Sequence, residues 1–397
     1  MAGKLAMGKK ELLRAKVMEQ VVQKELSLKG AAVKLKVSYR QAKRIYRRYL
    51  EEGDRGLLHR NQGKASGRAY AVGIREAVVR LYQEYYGDFG PTFAAEMLNA
   101  RHGIRVDHET LRRWLLAAGL WEHKRQRKAY RSRRERRECF GELLQFDGSH
   151  HDWFEGRRSA CCLMNMVDDA TGITFSFFCE EETTSDAMRL LWRWIEHYGI
   201  PQALYCDKKN AFVSIREPTI EEQLAGIEPK SPFERACEQL GIEVIVASSP
   251  QVKGRVERSH GVYQDRLVKE LRMAKISTIE DANRYLREVY LPKINQKFAK
   301  VPAQPQDAHV PLTTPTSLED ILCYETPRVV SNDYVVSYKR RLLQITRTAR
   351  VLPKPRAQVT VRELLDGRIK LLYQNTQLEY VELEHLPHKE ELATRSA

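Results

Sequence analysis

The sequence predicts a multidomain α/β protein: an all-α N-terminal region of helix-turn-helix units, a core with a mixed sheet covered by helices, and a small SH3-like β-barrel as C-terminal domain. Three observations predict it. Residues 9–119 place apolar side chains at helical spacing, interrupted by short turns. Residues 141–275 alternate short apolar runs with longer amphipathic ones. Residues 326–384 hold only short alternating runs separated by basic turns. The expected boundaries are 1–60 and 68–121 for two helical units, 122–140 for a basic linker, 141–295 for the core, 296–325 for a second linker, and 326–397 for the β domain. A chain of 397 residues accommodates two to four domains with a sizeable core.

In the first unit, Leu12, Leu13, Val17, Val21, Val22 and Leu26 mark an amphipathic helix. Residues 27–37, with Ala31, Ala32, Val33 and Leu35, suit a short middle helix, and Ser38 caps a third. In that third helix Arg40, Lys43, Arg44, Arg47 and Arg48 recur at i, i+3, i+4, i+7 and i+8, opposite Ala42, Ile45, Tyr46 and Tyr49. A helix basic on one face and apolar on the other is suited to a DNA major groove; a merely solvated basic helix is the plainer alternative. The second unit starts with Ile74, Val78, Val79 and Tyr82 and is broken at Gly90-Pro91 and Gly103. Residues 108–118 carry Leu111, Trp114 and Leu115 on one face and Arg112 and Arg113 on another, so a winged-type reader is expected. Residues 122–138 then bring nine Lys or Arg against three acids. Lys124, Arg125, Arg127 and Lys128 in this run are candidate phosphate contacts.

Strands are expected at 143–147, 159–167, 173–179, 203–206 and 242–247, with helices at 185–198 and about 252–273. Asp168 to Gly172 make a hairpin turn between the second and third strands. Residues 301–315, rich in Pro and Thr, read as an extended linker.

The chemistry is carried by three carboxylates. Asp147 and Asp207 end short apolar runs, and Glu257 opens a helix. An apolar strand ending in Asp is costly without a partner. Converging carboxylates repel one another, so a divalent cation is the natural occupant, and hard oxygen ligands select Mg²⁺ or Mn²⁺. Two such ions can activate a water or hydroxyl and stabilise the leaving oxygen of a phosphodiester. The net charge of +15 makes a polyanion the expected partner. Together these point to metal-dependent cutting and joining of DNA. The seven Cys form no CxxC pair and several lie inside apolar runs, which fits reduced thiols better than a zinc site or disulfides. No apolar stretch reaches membrane-spanning length and no secretory segment opens the chain, so the expected location is cytoplasmic, at the bacterial nucleoid.

With these pieces placed, the chain resembles the DDE transposase/retroviral integrase superfamily, most closely insertion-sequence transposases of the ISNCY type. The resemblance lies in Leu144-Gln145-Phe146-Asp147-Gly148-Ser149, Asp168-Asp169-Ala170-Thr171-Gly172, Leu204-Tyr205-Cys206-Asp207, and the stretch from Ser249 to Arg258 with its Lys-Gly-x-x-Glu-Arg. It implies a ribonuclease H-like core, an Asp147, Asp207, Glu257 triad binding two Mg²⁺ or Mn²⁺ ions, and a homo-oligomer, dimer or higher, assembled on double-stranded transposon ends and target DNA. It implies hydrolysis at the element's 3′ ends, where terminal inverted repeats are bound, followed by joining of the 3′-hydroxyl to target DNA. Two departures stand out. Lys208-Lys209-Asn210 follows Asp207 where relatives have Asn-Gly, and 49 residues separate Asp207 from Glu257, the surplus falling around 215–231.

Other readings compete at single positions. Asp168 and Asp169 fit hairpin residues better than ligands. His150 and His151 fit loop residues, with a phosphate contact at His151 the sharper alternative. Glu257 could pair on the helix surface with Arg255 or Arg258, whereas Lys253 and Arg255 could neutralise phosphate. For the whole chain, a DNA-binding regulator without chemistry and a structure-specific nuclease are the alternatives, separable by nicking and strand-transfer assays.

Overall fold

The computed structural model describes residues 7–59, 70–122, 134–208, 212–214, 216–224, 226, 228–246, 254–312, 317–347 and 351–383. The chain divides into two compact units, 1–125 and 126–397.

The first unit is helical throughout its described residues. α1 (Lys9–Val22), α2 (Leu28–Lys34) and α3 (Tyr39–Glu52) form a three-helix group. Ser27 and Ser38 accept the N–H of Gly30 and Gln41 (3.1 and 3.2 Å), satisfying donors that a helix start leaves open. Val17, Met18, Val21, Ala31, Ile45 and Leu57 make the core. Leu12, Leu13 and Val22, expected on the buried stripe of α1, are about half exposed. Adjacent positions such as 12 and 13 cannot both face so small a core.

α4 (Val72–Tyr85), α5 (Pro91–His102) and α6 (His108–Ala117) follow. Asp107 caps α6 by accepting from Glu109 and Thr110 (3.0 and 3.2 Å). Tyr82, Tyr86, Phe89 and Phe93 are buried, with Phe89 stacked on Phe93 at 5.0 Å. The described residues that directly follow α6, up to 122, hold no strand, and 123–133 lie outside the described residues.

In the second unit, β1 (Leu144–His151), β2 (Cys161–Asp168) and β3 (Thr174–Cys179) form an antiparallel meander. α7 (Thr184–Tyr198) leads to β4 (Ala203–Cys206), which lies parallel to β1. Short α8 (Ile220–Leu224) and α9 (Pro232–Gln239) precede β5 (Glu243–Val246), parallel to β4. The sheet order β3-β2-β1-β4-β5, with three antiparallel strands followed by two parallel ones, is the ribonuclease H-like arrangement. α10 (Gly254–Met273), α11 (Ile279–Tyr285) and α12 (Leu291–Phe298) complete the core.

Two apolar layers enclose the sheet. On one face Leu144, Phe146 and Met164 pack with Leu191, Trp194 and Phe233 from α7 and α9. On the other, Leu163 and Phe178 pack with Tyr263, Leu267 and Tyr290 from the α10–α12 layer. Covered on both sides, β2 is buried at all eight positions, which is why its apolar run is continuous rather than alternating.

The segment expected to be an extended linker is bonded to the core as a strap. Gln304 N donates to Glu138 O (3.0 Å), Ala308 N to Phe140 O (2.7 Å), and Val310 and Ile200 exchange two bonds (2.8 and 2.9 Å). His309 packs edge-on against Phe140 at 4.7 Å and accepts from Trp194 Nε1 at 3.0 Å. A Cβ on Gly141, whose φ is +84°, would collide with that imidazole. Pro-rich backbone has no helical or strand pairing of its own to offer, and here its polar groups are satisfied by the rim of the core.

Beyond α13 (Leu318–Ile321) the regular elements among the described residues are all strands. β6 (Cys323–Val329), β9 (Gln358–Leu364), β10 (Ile369–Tyr373) and β11 (Thr376–Leu378) form one antiparallel sheet. β7 (Val335–Tyr338), β8 (Arg341–Ile345) and β12 (Tyr380–Leu383) form a second. Both share one core around Val336, Leu343, Val361 and Leu371. The described strands pair as two sheets rather than as one closed ring. Arg235 of α9 bonds to Ile321 O (3.0 Å) and Glu325 (2.9 Å), and Arg189 of α7 to Leu365 O (2.9 Å), docking this domain on the core.

Candidate active site

The sheet reverses its order of travel at β1. The chain leaves β1 toward β2 on one side and returns to β4 on the other. In open α/β sheets such a switch point leaves a crevice beyond the strand ends. The register there is Leu144 beside Leu204 and Gln145 beside Tyr205. Two residues further along each chain stand Asp147 and Asp207, both half-buried.

Side chains alternate along β1. Leu144 and Phe146 enter the core on the α7 face, so Gln145, Asp147 and Ser149 belong to the face covered by α10. Three bonds tie α10 to that row. Gln145 Oε1 accepts the N–H groups of Arg255 and Val256 (3.2 Å each). Gln264 Nε2 donates to Ser149 Oγ at 3.2 Å. Asn165, the cross-strand partner of Asp147, donates to Ser259 Oγ at 3.1 Å. The helix therefore runs along β1, with Glu257 exposed in its first turn. Beneath it, Asn165 Oδ1 accepts from Thr174 (2.6 Å) and Ser176 (2.8 Å), and the Tyr263 hydroxyl meets both at 3.1 and 2.8 Å. Burial pushes the Tyr263 phenol up to about 12.

The elements carrying Asp147, Asp207 and Glu257 thus adjoin one face of the sheet, Asp147 midway along β1, Asp207 just past the end of β4 and Glu257 in the first turn of α10. Their side chains are not drawn into a closed cluster: among the described residues no three His, Cys, Asp or Glu could hold a metal ion. By donor chemistry the three carboxylates suit a hard divalent cation, and none of them is fully buried. Lys253 and Asn210, which adjoin two of them in sequence, lie outside the described residues, as do Lys124, Arg125, Arg127 and Lys128. His151 is exposed at the end of β1, edge-on to Trp153 at 5.3 Å.

Asp168 and Asp169 are hairpin residues, as their spacing indicates, and both carboxylates are fully buried. Asp168 closes its own turn, accepting from Thr171 N (2.7 Å), Thr171 Oγ1 (2.6 Å) and Gly141 N (3.0 Å). Burial raises its pKa despite those bonds. Asp169 gathers partners from three segments. Its carboxylate accepts from Gln145 Nε2 (2.8 Å), Arg137 N (2.8 Å) and the Arg134 guanidinium, with Arg255 Nε 3.3 Å away. Its carbonyl oxygen accepts from Arg255 Nε (3.0 Å) and Arg136 Nη1 (3.2 Å). Burial lowers the Arg255 pKa, and the neighbouring Arg134, Arg136 and Arg258 lower it further against the pull of Asp169. Sequence reasoning missed this junction. The available signal was Gln145, a polar residue in an apolar strand two positions before Asp147.

In the first unit Arg40, Lys43, Arg44 and Arg47 are exposed along α3, while Arg48, at the edge of the stripe, is half-buried beside the Gly56 turn. Arg112 is held by Glu109 through two 2.7 Å bonds, and Arg113 reaches the same carboxylate at 3.3 Å.

The profile of the helix-turn-helix domain family matches residues 13–66. The candidate transposase y4bF of Sinorhizobium fredii is 34% identical over 380 residues, 95% of this chain and 82% of the relative. The transposase for insertion sequence IS1202 of Streptococcus pneumoniae is 27% identical over 363 residues, 82% of this chain and 76% of its own. Among solved structures, the HTLV-2 integrase catalytic core domain matches 37% of this chain and 85% of its own at 19% identity and a TM-score of 0.29. The integrase assembly of simian T-cell lymphotropic virus matches 77% and 99% at 16% identity and 0.35. Near end-to-end similarity to the y4bF relative, around a helix-turn-helix and a ribonuclease H-like sheet, places the chain among the transposases.

Proposed function

We propose that this transposase binds the terminal inverted repeats of its element, cuts the phosphodiester at each 3′ end, and joins the freed 3′-hydroxyl to target DNA at a site formed by Asp147, Asp207 and Glu257. The observation that supports this reading most is the placement of Asp147 and Asp207 two residues beyond paired positions of adjacent parallel strands, on the sheet face along which the Glu257 helix runs. Asp147, Asp207 and Glu257 would hold Mg²⁺ or Mn²⁺, two ions in all, supplying Lewis-acid polarisation of a phosphate oxygen and a more acidic attacking water or hydroxyl. The sheet holds the two aspartates in place, and the bonds from Gln145, Asn165 and Ser149 fix the helix over them. Lys253, four residues before Glu257 in sequence, offsets the charge of the scissile phosphate, whereas Arg255 is taken up by the buried Asp169. No side chain needs to become covalently attached to DNA.

The regions 1–60 and 68–121 read the element's ends, through Arg40, Lys43, Arg44, Arg47 and Arg48 in one and Arg113 in the other, where Glu109 occupies Arg112. The arm 122–140 tracks phosphates toward the cut, and 326–397 supports DNA or a neighbouring subunit. Two ends must be joined, so the working form on DNA is a homo-oligomer. No described helix is long and apolar enough to cross a membrane; we place the protein in the cytoplasm, with the nucleoid DNA it acts on.

The test is 3′-end cleavage of a terminal-repeat duplex in Mg²⁺. Asp147→Asn, Asp207→Asn and Glu257→Gln should each retain binding of the repeat and lose cleavage. Several kcal/mol of lost transition-state stabilisation corresponds to roughly 10³-fold or more. A variant that cuts at the wild-type rate removes its residue from the site.

A further inference from the structure

We infer that Asp169, acting through Gln145, is a positioning residue for the Glu257 end of α10. The inference rests on the reading that Glu257 belongs to the cleavage site, and it assigns work to two residues outside that triad. Gln145 spends its amide at both ends: Nε2 donates to Asp169 and Oε1 accepts two N–H groups from the first turn of α10. The first N–H groups of a helix have no partner within the helix. Gln145 therefore does for α10 what a capping side chain does elsewhere, but from a neighbouring strand. The orientation of its amide is set by Asp169, an acceptor only, which forces Nε2 toward itself and leaves Oε1 for the helix.

The same carboxylate fixes Arg255, two residues before Glu257, and the Arg134 end of the basic arm. Asp169 is fully buried amid these groups, so the junction has little freedom to rearrange. Helix start, β1 and arm are thereby referenced to one buried anion. Loss of that reference would let the first turn of α10 shift relative to Asp147, whose strand holds Gln145.

The polarity of the Gln145–Asp169 bond can be reversed without changing its shape. In the double variant Q145E/D169N, the new carboxylate on β1 still accepts from the helix, the new amide in the hairpin donates to it, and Arg134, which bonds the same Asp169 oxygen as Gln145, turns to the new carboxylate. One negative charge is retained near Arg134 and Arg255. Full-length protein is titrated with Mn²⁺, free Mn²⁺ being followed by electron paramagnetic resonance, alongside thermal unfolding and terminal-repeat binding. D169N alone and Q145E alone should raise the half-saturating Mn²⁺ concentration by about tenfold, the usual scale for groups that orient a ligand, with repeat binding unchanged. The double variant should return to within about threefold of wild type, a coupling characteristic of directly bonded residues. A lower melting temperature in D169N with wild-type Mn²⁺ binding overturns the inference, because the residue then only stabilises the fold. Additive losses in the double variant also overturn it. Glu257→Gln in the same titration separates the two readings. If it binds Mn²⁺ like wild type, the carboxylate site itself falls and the positioning role falls with it. If it loses Mn²⁺ while D169N does not, only the positioning role falls.

Discussion

On α3 the side chains of Arg40, Lys43, Arg44 and Arg47 stand in solvent, and Arg47 lies 3.7 Å from Glu51 with both groups mostly exposed. At the start of α10 the Arg255 side chain is only 13% exposed and its guanidinium is bonded to a carboxylate and a carbonyl of the buried Asp169. The residue type is the same, yet the two environments put it to different uses. Exposed cations attract phosphate over a Debye length and can release counterions when DNA arrives. A buried guanidinium held against a carboxylate is already neutralised, and what it contributes is a fixed geometry. A stripe of arginines in sequence therefore identifies a nucleic-acid partner, but not which arginines meet it.

The sharpest way to break this comparison is to remove one arginine from each place. Arg255→Ala takes a partner from a buried carboxylate that keeps Arg134, Gln145 and Arg137 N. The expected loss is about 2–3 kcal/mol, a fall in melting temperature of roughly 5 °C or more. Arg44→Ala should change stability by less than about 0.5 kcal/mol. Calorimetric unfolding of both variants decides it; equal destabilisation would mean that burial does not separate the two classes.

DNA binding sharpens the same contrast from the other side. Arg40→Ala, Lys43→Ala and Arg44→Ala should each weaken binding of the terminal repeat, and each should reduce the slope of log K against log salt by about 1. Arg48→Ala, at the half-buried edge of the stripe, should move the slope least. Fluorescence anisotropy across a salt series gives the slopes. A full-sized change at Arg48 with none at Arg44 would place DNA on a different face of α3.

Much of this architecture was legible in the residues because local signals agreed with the global fold. Ser27 and Ser38 announced helix starts, Ala42 and Ile45 the buried face of α3, and the apolar runs ending at Asp147 and Asp207 the central strands. The strap was not legible. Its Pro and Thr residues carry no periodicity, and its contacts, such as His309 with Trp194 and Phe140, depend on residues more than a hundred positions away. The role of Asp169 was hidden for a related reason. A pair of aspartates before Gly172 is sufficient for a hairpin turn, and nothing in the turn reveals that Arg255 and Gln145 converge on the second of them. Long-range polar junctions leave only oddities in sequence, such as a glutamine inside an apolar strand.

The smallest expected effect tests an intermediate case, an arginine that is accessible yet occupied. Glu109 on α6 is held by Arg112 and, more weakly, by Arg113, and these guanidinium bonds lower its pKa from the ordinary 4.5 to about 2. For an acid depressed in the folded state, the stabilising interaction is present above the unfolded pKa and disappears only as pH falls toward 2. At neutral pH Glu109 is therefore charged and keeps Arg112 from phosphate. Glu109→Gln should release that arginine, tightening terminal-repeat binding by a few-fold and steepening the salt slope by up to about 1. Arg112 and Glu109 keep 31% and 39% of their side-chain surface in solvent, so thermal stability should fall only a little. If α6 faces DNA, affinity rises in this variant and Arg112→Ala cancels the gain. If affinity falls instead, Glu109 is orienting Arg112 toward the groove, and the occupied arginine belongs with Arg255 rather than with the open stripe of α3.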